Sequence, residues 1–576
     1  MTDVASPRLV EALSGARASG AFAPVDLHMA DMVMRRSGAT DPLLAVALAL
    51  AVKAVRLEHV CVVLDDEGIG LLWRAEGAAA QAATAPVPGQ LLGALRAADG
   101  LVEVTAEGAD VDPLGDAMVV LSGPRCYLRR YALLEQLVAD RLRHGAALGA
   151  PAGAEDCIER HGGRADASQR VAVGRALSSA VSVIAGGPGT GKTTTVALLV
   201  EVAGALPTPL RVALAAPTGK AAARMDEAVR AAVGADVTDV PRATTVHRLL
   251  GIRRDGAART GDPLDADVIV IDEASMVSLP LLASALGRAR ADARVVLVGD
   301  PDQLASIEVG AVLADVVDAG ARAGSGVIVA RLDVAHRFAD ADAVVALAAA
   351  VRAGNPEAFD QAVRDSRGHV TRVVPEDRHA LVERVVDHAV AVLEAARRGD
   401  VDAALARIGA LGVLCATKRG DGSTSWWHSE VERRLVERGV VRTRDDDLVG
   451  RPLLVTRNDP LTGLTNGSVG VIVAEHGERR CHFDAVSHPL SSLDAAEPFW
   501  ALTIHKSQGS EYGDVVISLP GPDSPILTRE LVYTAVTRSR GSVALIAPPG
   551  SLEAALARRV ARASGLAARL GATADD

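Results

Sequence analysis

The feature that most limits what this chain can fold into is the run Gly186-Gly187-Pro188-Gly189-Thr190-Gly191-Lys192-Thr193, which follows the apolar stretch VSVIAG and opens the helical stretch TTTVALLVEV. The pattern G-x-x-x-x-G-K-[ST] between a strand and a helix is a phosphate-binding loop. Its glycines let backbone N–H groups converge on phosphate oxygens, and the helix N-terminus adds its dipole. The candidate cradle is Gly187, Pro188, Gly189, Thr190, Gly191, Lys192, Thr193 and Thr194. Lys192 would reach the β- and γ-phosphates and Thr193 would ligate Mg²⁺, so a nucleoside triphosphate with its metal is the implied ligand.

Around this loop, apolar runs of strand length (VSVIAG, LRVALAAPT, DVIVIDEAS, ARVVLVGD, GVIVARLD) alternate with helical segments. That alternation predicts a parallel sheet with crossover helices. A second series, GVLCATK, FWALTIHKSQGS, DVVISL and SVALIAPP, predicts another such domain in tandem. Between its members, residues 445–498 read as β-hairpins around Asn466-Gly467, and a small β-barrel inserted in the second α/β domain is expected. Asp272-Glu273 ends the strand VIVI, where Asp can hold a metal ion and Glu can polarise a water. Gln303, just after the strand VVLVGD, is placed to sense a γ-phosphate.

Composition bears on the partner. The net charge of −11 gives the surface no overall attraction for polyanions, so any nucleic acid must be held in a local groove. Only five of the 61 basic residues are lysine, and four of them (Lys192, Lys220, Lys418, Lys506) fall inside candidate motifs. The longest apolar run, Leu43 to Val52, is about half of the ~20 residues that span a bilayer. The N-terminus lacks a basic stretch leading into an apolar one, so a cytoplasmic location without membrane attachment is expected. The five cysteines have no paired spacing, which argues for buried thiols.

Eight segments, GGPGTGKTTT, APTGKAAARM, TTVHRLLG, DEASMV, GDPDQLASIEVG, AHRF, TIHKSQGSE and VYTAVTRSR, stand in the order of the motifs of superfamily 1 helicases. DEASMV, GDPDQLASIEVGAVL, RNDP…NGSVG and the N-terminal GPRCYLRRYALLEQLVADRL resemble the RecD family, the α subunit of RecBCD exonuclease V. The resemblance implies an α/β fold of tandem RecA-like P-loop NTPase domains with a helical N-terminal domain and a small SH3-like β-barrel insertion. The divisions expected are 1–145 for partner docking, 155–340 for the first RecA-like domain, 341–444 with 499–576 for the second, and 445–498 for the barrel.

Carried over position by position, the family's adenine-reading glutamine falls on Gln169, and its two cleft arginines on Arg337 and Arg538. Gly509 and Glu511 match positions near the nucleotide. Lys192, Glu273, Gln303, Arg337 and Arg538 are then the catalytic set, with Thr193 and Asp272 on Mg²⁺. The strand-tracking set is Pro217, Thr218, Lys220, Thr245, His247, Asn466, Thr503, His505 and Gln508, whose hydroxyl, amide and cationic groups suit phosphate and sugar contacts without reading bases. Where the family commonly has aromatics, this chain has Pro460 and Thr465; Trp426-Trp427 is either a stacking platform or a core anchor.

The resulting expectation is an ATP- and Mg²⁺-dependent 5′-to-3′ DNA helicase acting in double-strand break repair and recombination. Its expected partners are single-stranded DNA, duplex DNA ends, and RecB-like and RecC-like subunits in a heterotrimer; no nuclease carboxylate cluster is visible. The direction and the subunits come from the resemblance alone. A free-standing RecD-like helicase and a structural subunit with a regulatory nucleotide site are the alternatives. Three further expectations are a hairpin in the alternating stretch HVCVVLDDEGIGLLW, a strand-separating pin in Arg253 to Pro263, and docking through apolar helices such as Leu43 to Val55.

Overall fold

The computed structural model describes residues 20–73, 85–144, 148–233, 240–252, 262–306, 308–322, 326–332, 342–442, 449–459, 461–475, 477–484, 486–560 and 562–571. The first two described helices begin at prolines, which need no N–H partner in the first turn. In α1 (Pro24–Ser37) the Asp26 carboxylate accepts the Ala23 N–H, and Gly38 in the left-handed region ends the helix. In α2 (Pro42–Arg56) Asp41 accepts the Leu43 N–H at 2.9 Å. The Leu44, Ala47, Leu48 and Ala51 side chains of α2 are all buried in the N-terminal domain's own core. The apolar run is therefore an interior helix, which corrects the expectation that it offers a docking surface.

A mixed four-stranded sheet, β1 (Val62–Val63), β2 (Val102–Thr105), β3 (Val119–Ser122) and β4 (Arg125–Leu128), completes this domain in the order β1-β4-β3-β2. The stretch HVCVVLDDEGIGLLW is not a hairpin. After β1, Asp65 accepts the Gly68 N–H at 2.7 Å and turns the chain into the helix Asp66–Trp73, while β1 pairs with the distant β4. The helix that follows β4, α3 (Arg129–His144), leaves the sheet and puts Val138, Ala139 and Leu142 into the core of the following domain.

That domain runs through α4 (Ala167–Ser178), β5 (Val181–Gly186), α5 (Lys192–Ala205), β6 (Val212–Ala216), α6 (Gly219–Ala232), β7 (Thr244–Thr245), β8 (Val268–Ile271), α7 (Leu279–Arg288), β9 (Arg294–Gly299), α8 (Val312–Gly320) and β10 (Ile328–Leu332). All its strands are parallel, in the order β10-β5-β9-β8-β6-β7. Strands buried on both faces read as continuous apolar runs, as VSVIAG and VIVI do. One face packs on α4, α5 and α6, the other on α3, α7 and α8.

The second α/β sheet consists of β11 (Val370–Val373) and β12 (Leu411–Cys415), then, after α9 (Thr424–Glu437) and an insertion, β18 (Leu502–Thr503), β19 (Asp514–Ser518), α10 (Arg529–Val536) and β20 (Val543–Ile546). It is parallel in the order β11-β20-β19-β12-β18. The insertion is an antiparallel sheet of β13 (Pro452–Val455), β14 (Val469–Glu475), β15 (Glu478–Phe483), β16 (Val486–Pro489) and β17 (Ala496–Pro498), in the order β16-β15-β14-β13-β17. Among the described residues its edge strands β16 and β17 do not pair, so closure into a barrel is not seen. Each ends in a proline that has no N–H to give to a ladder. Asn466-Gly467 is the centre of a turn closed by the Ser468 N–H on Thr465 O at 3.0 Å, but that turn ends the longer connection from Thr456 to Ser468 instead of joining β13 to β14 as a two-residue hairpin loop; Gly467, at φ 90°, donates its N–H to Val455.

The last described element is α11 (Leu566–Gly571), whose Leu566 and Leu570 return to the core shared by α3 and α8. The five cysteines are free and buried. No described helix is long and apolar enough to cross a membrane.

Candidate nucleotide cleft and strand groove

Three loops meet where β5, β9 and β8 lie side by side and end. After β5, Gly189 and Gly191 take φ of 76° and 78°, which side chains other than glycine rarely adopt, and Gly191 caps α5. Lys192 Nζ donates to the carbonyls of Gly186 and Gly187 at 2.8 and 2.9 Å, and Thr190 Oγ1 donates to Gly187 O. A cation is thus held inside a turn of glycines at a helix N-terminus, the arrangement that accepts phosphate. Thr193 stands on the first turn of α5 and Thr194 follows it.

After β8, the Glu273 N–H donates to Asp272 Oδ1 at 2.8 Å, and Glu273 itself lies at φ 50°, an uncommon conformation for a non-glycine residue. Burial and the neighbouring Glu273 push the Asp272 carboxyl above its ordinary range, against the pull of Lys192. No group of three or more His, Cys, Asp or Glu side chains that would hold a metal occurs among the described residues. One carboxylate pair and the Thr193 hydroxyl fit Mg²⁺, which keeps waters and phosphate oxygens as most of its ligands.

After β9, Gln303 Nε2 donates to the buried Asp300 carboxylate at 3.1 Å. The same carboxylate oxygen accepts the Tyr533 hydroxyl of α10 at 3.0 Å. Leu304 is held twice from the second domain: its N–H donates to Thr534 Oγ1 at 2.8 Å and its carbonyl accepts Gln508 Nε2 at 2.8 Å. A Cβ built on Gly187 would stand 3.2 Å from the Tyr533 hydroxyl, so α10 reaches the phosphate-binding loop itself.

Several candidate residues are committed inside the protein. Gln169 Oε1 accepts the Asp166 N–H while its Nε2 donates to Thr190 O, tying the start of α4 to the loop. Arg538, 4% exposed, donates to the carbonyls of Thr534 and Ser510. Gly509 has φ 69°, and its carbonyl accepts Arg224 Nη1 from α6 at 2.7 Å; Glu511 pairs with Arg540 at 2.9 Å. Arg337 lies outside the described residues, as do Pro460 and most of the expected pin.

For the strand groove, Thr218 caps α6 and Thr245 caps the short helix after β7. Pro217 precedes Thr218, and His247 is exposed. Lys220 Nζ crosses to Ser510 Oγ at 2.8 Å, and burial, reinforced by Arg224, lowers its ammonium to about 8. The turn carrying exposed Asn466 sits against the start of α6, since Thr465 is the nearest neighbour of Gly219 and Lys220 that of Gly467. Thr503 accepts the Lys506 N–H; burial, then Arg562, lowers the His505 imidazole. Gln508 is turned to Leu304. Trp427 is fully buried, and the Arg378 guanidinium covers the Trp426 ring at 4.0 Å, so the pair is a core anchor.

Sequence reasoning missed Asp300, Tyr533 and Arg224. All three lie inside quoted motifs, but their importance comes from partners more than a hundred residues away.

Comparison with known proteins assigns residues 164–373 to the AAA domain, 498–546 to the UvrD-like helicase C-terminal domain, and 18–127 to the N-terminal domain of RecBCD enzyme subunit RecD. The RecBCD enzyme subunit RecD of Mycolicibacterium smegmatis is 40% identical over 570 residues, covering 95% of this chain and 97% of the relative. The chain belongs to the RecD family. The Haemophilus influenzae subunit is 30% identical, covering 69% of this chain and 71% of the relative. An ATP-dependent RecD2 DNA helicase of Deinococcus radiodurans is also 30% identical, covering 85% of this chain and 64% of that longer protein. Among solved structures, Bacteroides Pif1 bound to single-stranded DNA is 16% identical with a TM-score of 0.37, covering 64% of this chain and 88% of Pif1.

Proposed function

We propose that this chain is the ATP-driven, Mg²⁺-dependent 5′-to-3′ DNA helicase subunit of a RecBCD-type exonuclease V, assembled with RecB-like and RecC-like subunits. The observation that carries this reading is the cleft: a phosphate loop, an Asp-Glu pair and Gln303 stand on three adjacent strands, and α10 of the second α/β domain reaches them through Tyr533 and Thr534.

In this reading Thr193 and Asp272 hold Mg²⁺, which when bound neutralises charge on the β- and γ-phosphates. Glu273 orients the attacking water and takes its proton; the water oxygen bonds to the γ-phosphorus as the bond to the bridging oxygen breaks, leaving ADP and phosphate. Lys192, Arg538 and Arg337 stabilise the charge that builds on the transferred group. Arg538 must first leave the Thr534 and Ser510 carbonyls, so engaging nucleotide reshapes the second domain's side of the cleft. Opening and closing then shift Lys220 and Thr245 relative to Asn466, Thr503 and His505, along which a single strand is ratcheted.

The test combines DNA-stimulated ATP hydrolysis, strand displacement on duplexes with 5′ or 3′ tails, and co-purification of the full-length chain with its RecB-like and RecC-like partners. Unwinding of the 5′-tailed duplex only, in a three-subunit assembly, is expected. Hydrolysis that ignores DNA would remove the motor reading, and a processive monomer would favour a free-standing helicase.

A further inference from the structure

The segment from Arg562 to Gly571 carries no motif, yet it joins the N-terminal domain to one end of the loop that forms the cleft. Arg562 Nη1 donates to the carbonyls of Glu308 and Gly310 at 3.1 and 3.2 Å, and its Nη2 pairs with the Glu58 carboxylate. Ala563 accepts the Val60 N–H at 2.9 Å and donates its own N–H to His59 Nδ1 at 2.9 Å. The N-terminal domain also touches the loop directly: the Gly310 N–H donates to Glu58 O at 3.0 Å, and the nearest neighbours of a Cβ on Gly310 include Val60. Glu58 lies at φ 70°, a conformation a non-glycine residue keeps only where its surroundings hold it. Here both its carbonyl and its carboxylate are committed to the joint.

The strap is anchored at its far end too. The fully buried Glu135 of α3 accepts Ser564 Oγ, the Gly565 N–H, the Tyr127 hydroxyl and Arg569 Nε. Arg562 is thus the tip of a fixed arm with its guanidinium laid across two carbonyls of the loop. At the other end of the same loop, Asp300, Gln303 and Leu304 meet Tyr533, Thr534 and Gln508.

We propose that Arg562 is a positioning residue that couples the N-terminal domain to the nucleotide cleft through the Asp300-to-Gly310 loop. Any displacement of the Leu57-to-Val60 turn, such as a partner seated on the N-terminal domain would impose, then moves Glu308 to Gly310 and with them Gln303 and Leu304. The effect on turnover rests on the ATP-driven reading above; the mechanical coupling does not.

The test uses full-length Arg562→Gln, Arg562→Lys and Glu58→Gln, read by amide hydrogen exchange and by ATP turnover with single-stranded DNA. In Arg562→Gln and in Glu58→Gln, exchange at the Leu304 and Gly310 amides should rise about tenfold. In Arg562→Gln, kcat should fall about threefold or more with KM for ATP within about twofold of the parent, and Arg562→Lys should recover part of both effects. If exchange rises only in 57–61 and 562–571 while the Leu304 amide is unchanged, the coupling is overturned. Should Arg562→Gln fold poorly, Glu58→Gln decides the same question, since it keeps the side chain's shape and removes its charge. A parent protein that fails to hydrolyse ATP with DNA would count against the motor reading, and exchange at Leu304 would still decide the coupling.

Discussion

The Tyr533 hydroxyl and the Asp300 carboxylate meet at 3.0 Å across the two α/β domains, with Gly187 of the phosphate loop alongside. Burial and Asp300 push the Tyr533 phenol far above its ordinary range, so it donates at every working pH. Tyr533→Phe keeps the ring and removes this one donor, while Gln303 still serves Asp300. A hydrogen bond to a buried charge contributes about 1.5–3 kcal/mol, enough to shift a two-state hinge by more than tenfold. Fluorescent labels on the two α/β domains should report a larger open fraction without nucleotide, and DNA-stimulated turnover should fall. An unchanged open fraction would show that the contact does not hold the cleft.

Lys192→Gln removes a partly exposed cation from a loop and leaves the cores untouched, so the protein should fold normally and lose hydrolysis. Glu273→Gln keeps Asp272 on the metal and removes the group that takes a proton. It should bind nucleotide like the parent with turnover slowed by orders of magnitude, measured as equilibrium binding beside single-turnover hydrolysis. Lost nucleotide binding in Glu273→Gln would mean that the pair's roles are misassigned.

The parts of this molecule legible in its sequence are those governed by short-range rules. The strand VSVIAG, the glycines at positive φ and the helix behind Lys192 occur within a dozen residues, so their spacing was enough to place the loop. The direction in which a long side chain points was not legible. Gln508 and Lys220 sit in motifs suited to strand contact, yet their side chains reach Leu304 and Ser510 across the domain boundary, because tertiary packing sets that boundary. In HVCVVLDDEGIGLLW alternation pointed to a hairpin, and the Asp65 turn with acidic residues at the next helix start overrode it. The stretch after Arg558 has no motif at all, and its role became visible only through Glu135 and Glu58.

Removing residues 1–154 is the obvious way to ask whether the motor works without its N-terminal domain, and the packing argues that it will fail. Val138, Ala139 and Leu142 of α3 belong to the same core as Val183, Ile269 and Leu282 of the first α/β domain. The cut would expose that face and leave Arg569, 1% exposed, without Glu135. An aggregating protein is expected. A milder probe is Glu135→Ala, which strands a buried cation and three donors at a cost of about 3–5 kcal/mol. It should free α11, seen as rapid proteolysis after Arg562, while residues 164–320 stay protected. Full protection of the C-terminus would show that apolar packing of Leu566 and Leu570 suffices.

Acid should loosen this protein through its buried histidines before most carboxylates are protonated. His428 accepts the Trp500 N–H on Nδ1 at 3.4 Å and faces the Ala501 carbonyl with Nε2 at 3.0 Å, so the folded chain holds its neutral form. Burial lowers its imidazole to about 4, and the same cause puts His59 and His388 at about 4. In the unfolded chain each titrates near 6.5, so between pH 6.5 and 4 the unfolded state binds more protons and stability rises with pH. This contribution is complete above pH 6.5 and is lost as pH falls toward 4, at about 1.4 kcal/mol per pH unit for each histidine. His428→Gln keeps a donor and an acceptor but cannot titrate. Its thermal midpoint should therefore fall less steeply than the parent's between pH 6.5 and 5, with the two curves parallel above pH 7. Equal slopes across the acid range would mean that His428 already carries its proton in the folded state, contrary to the geometry around Trp500 and Ala501.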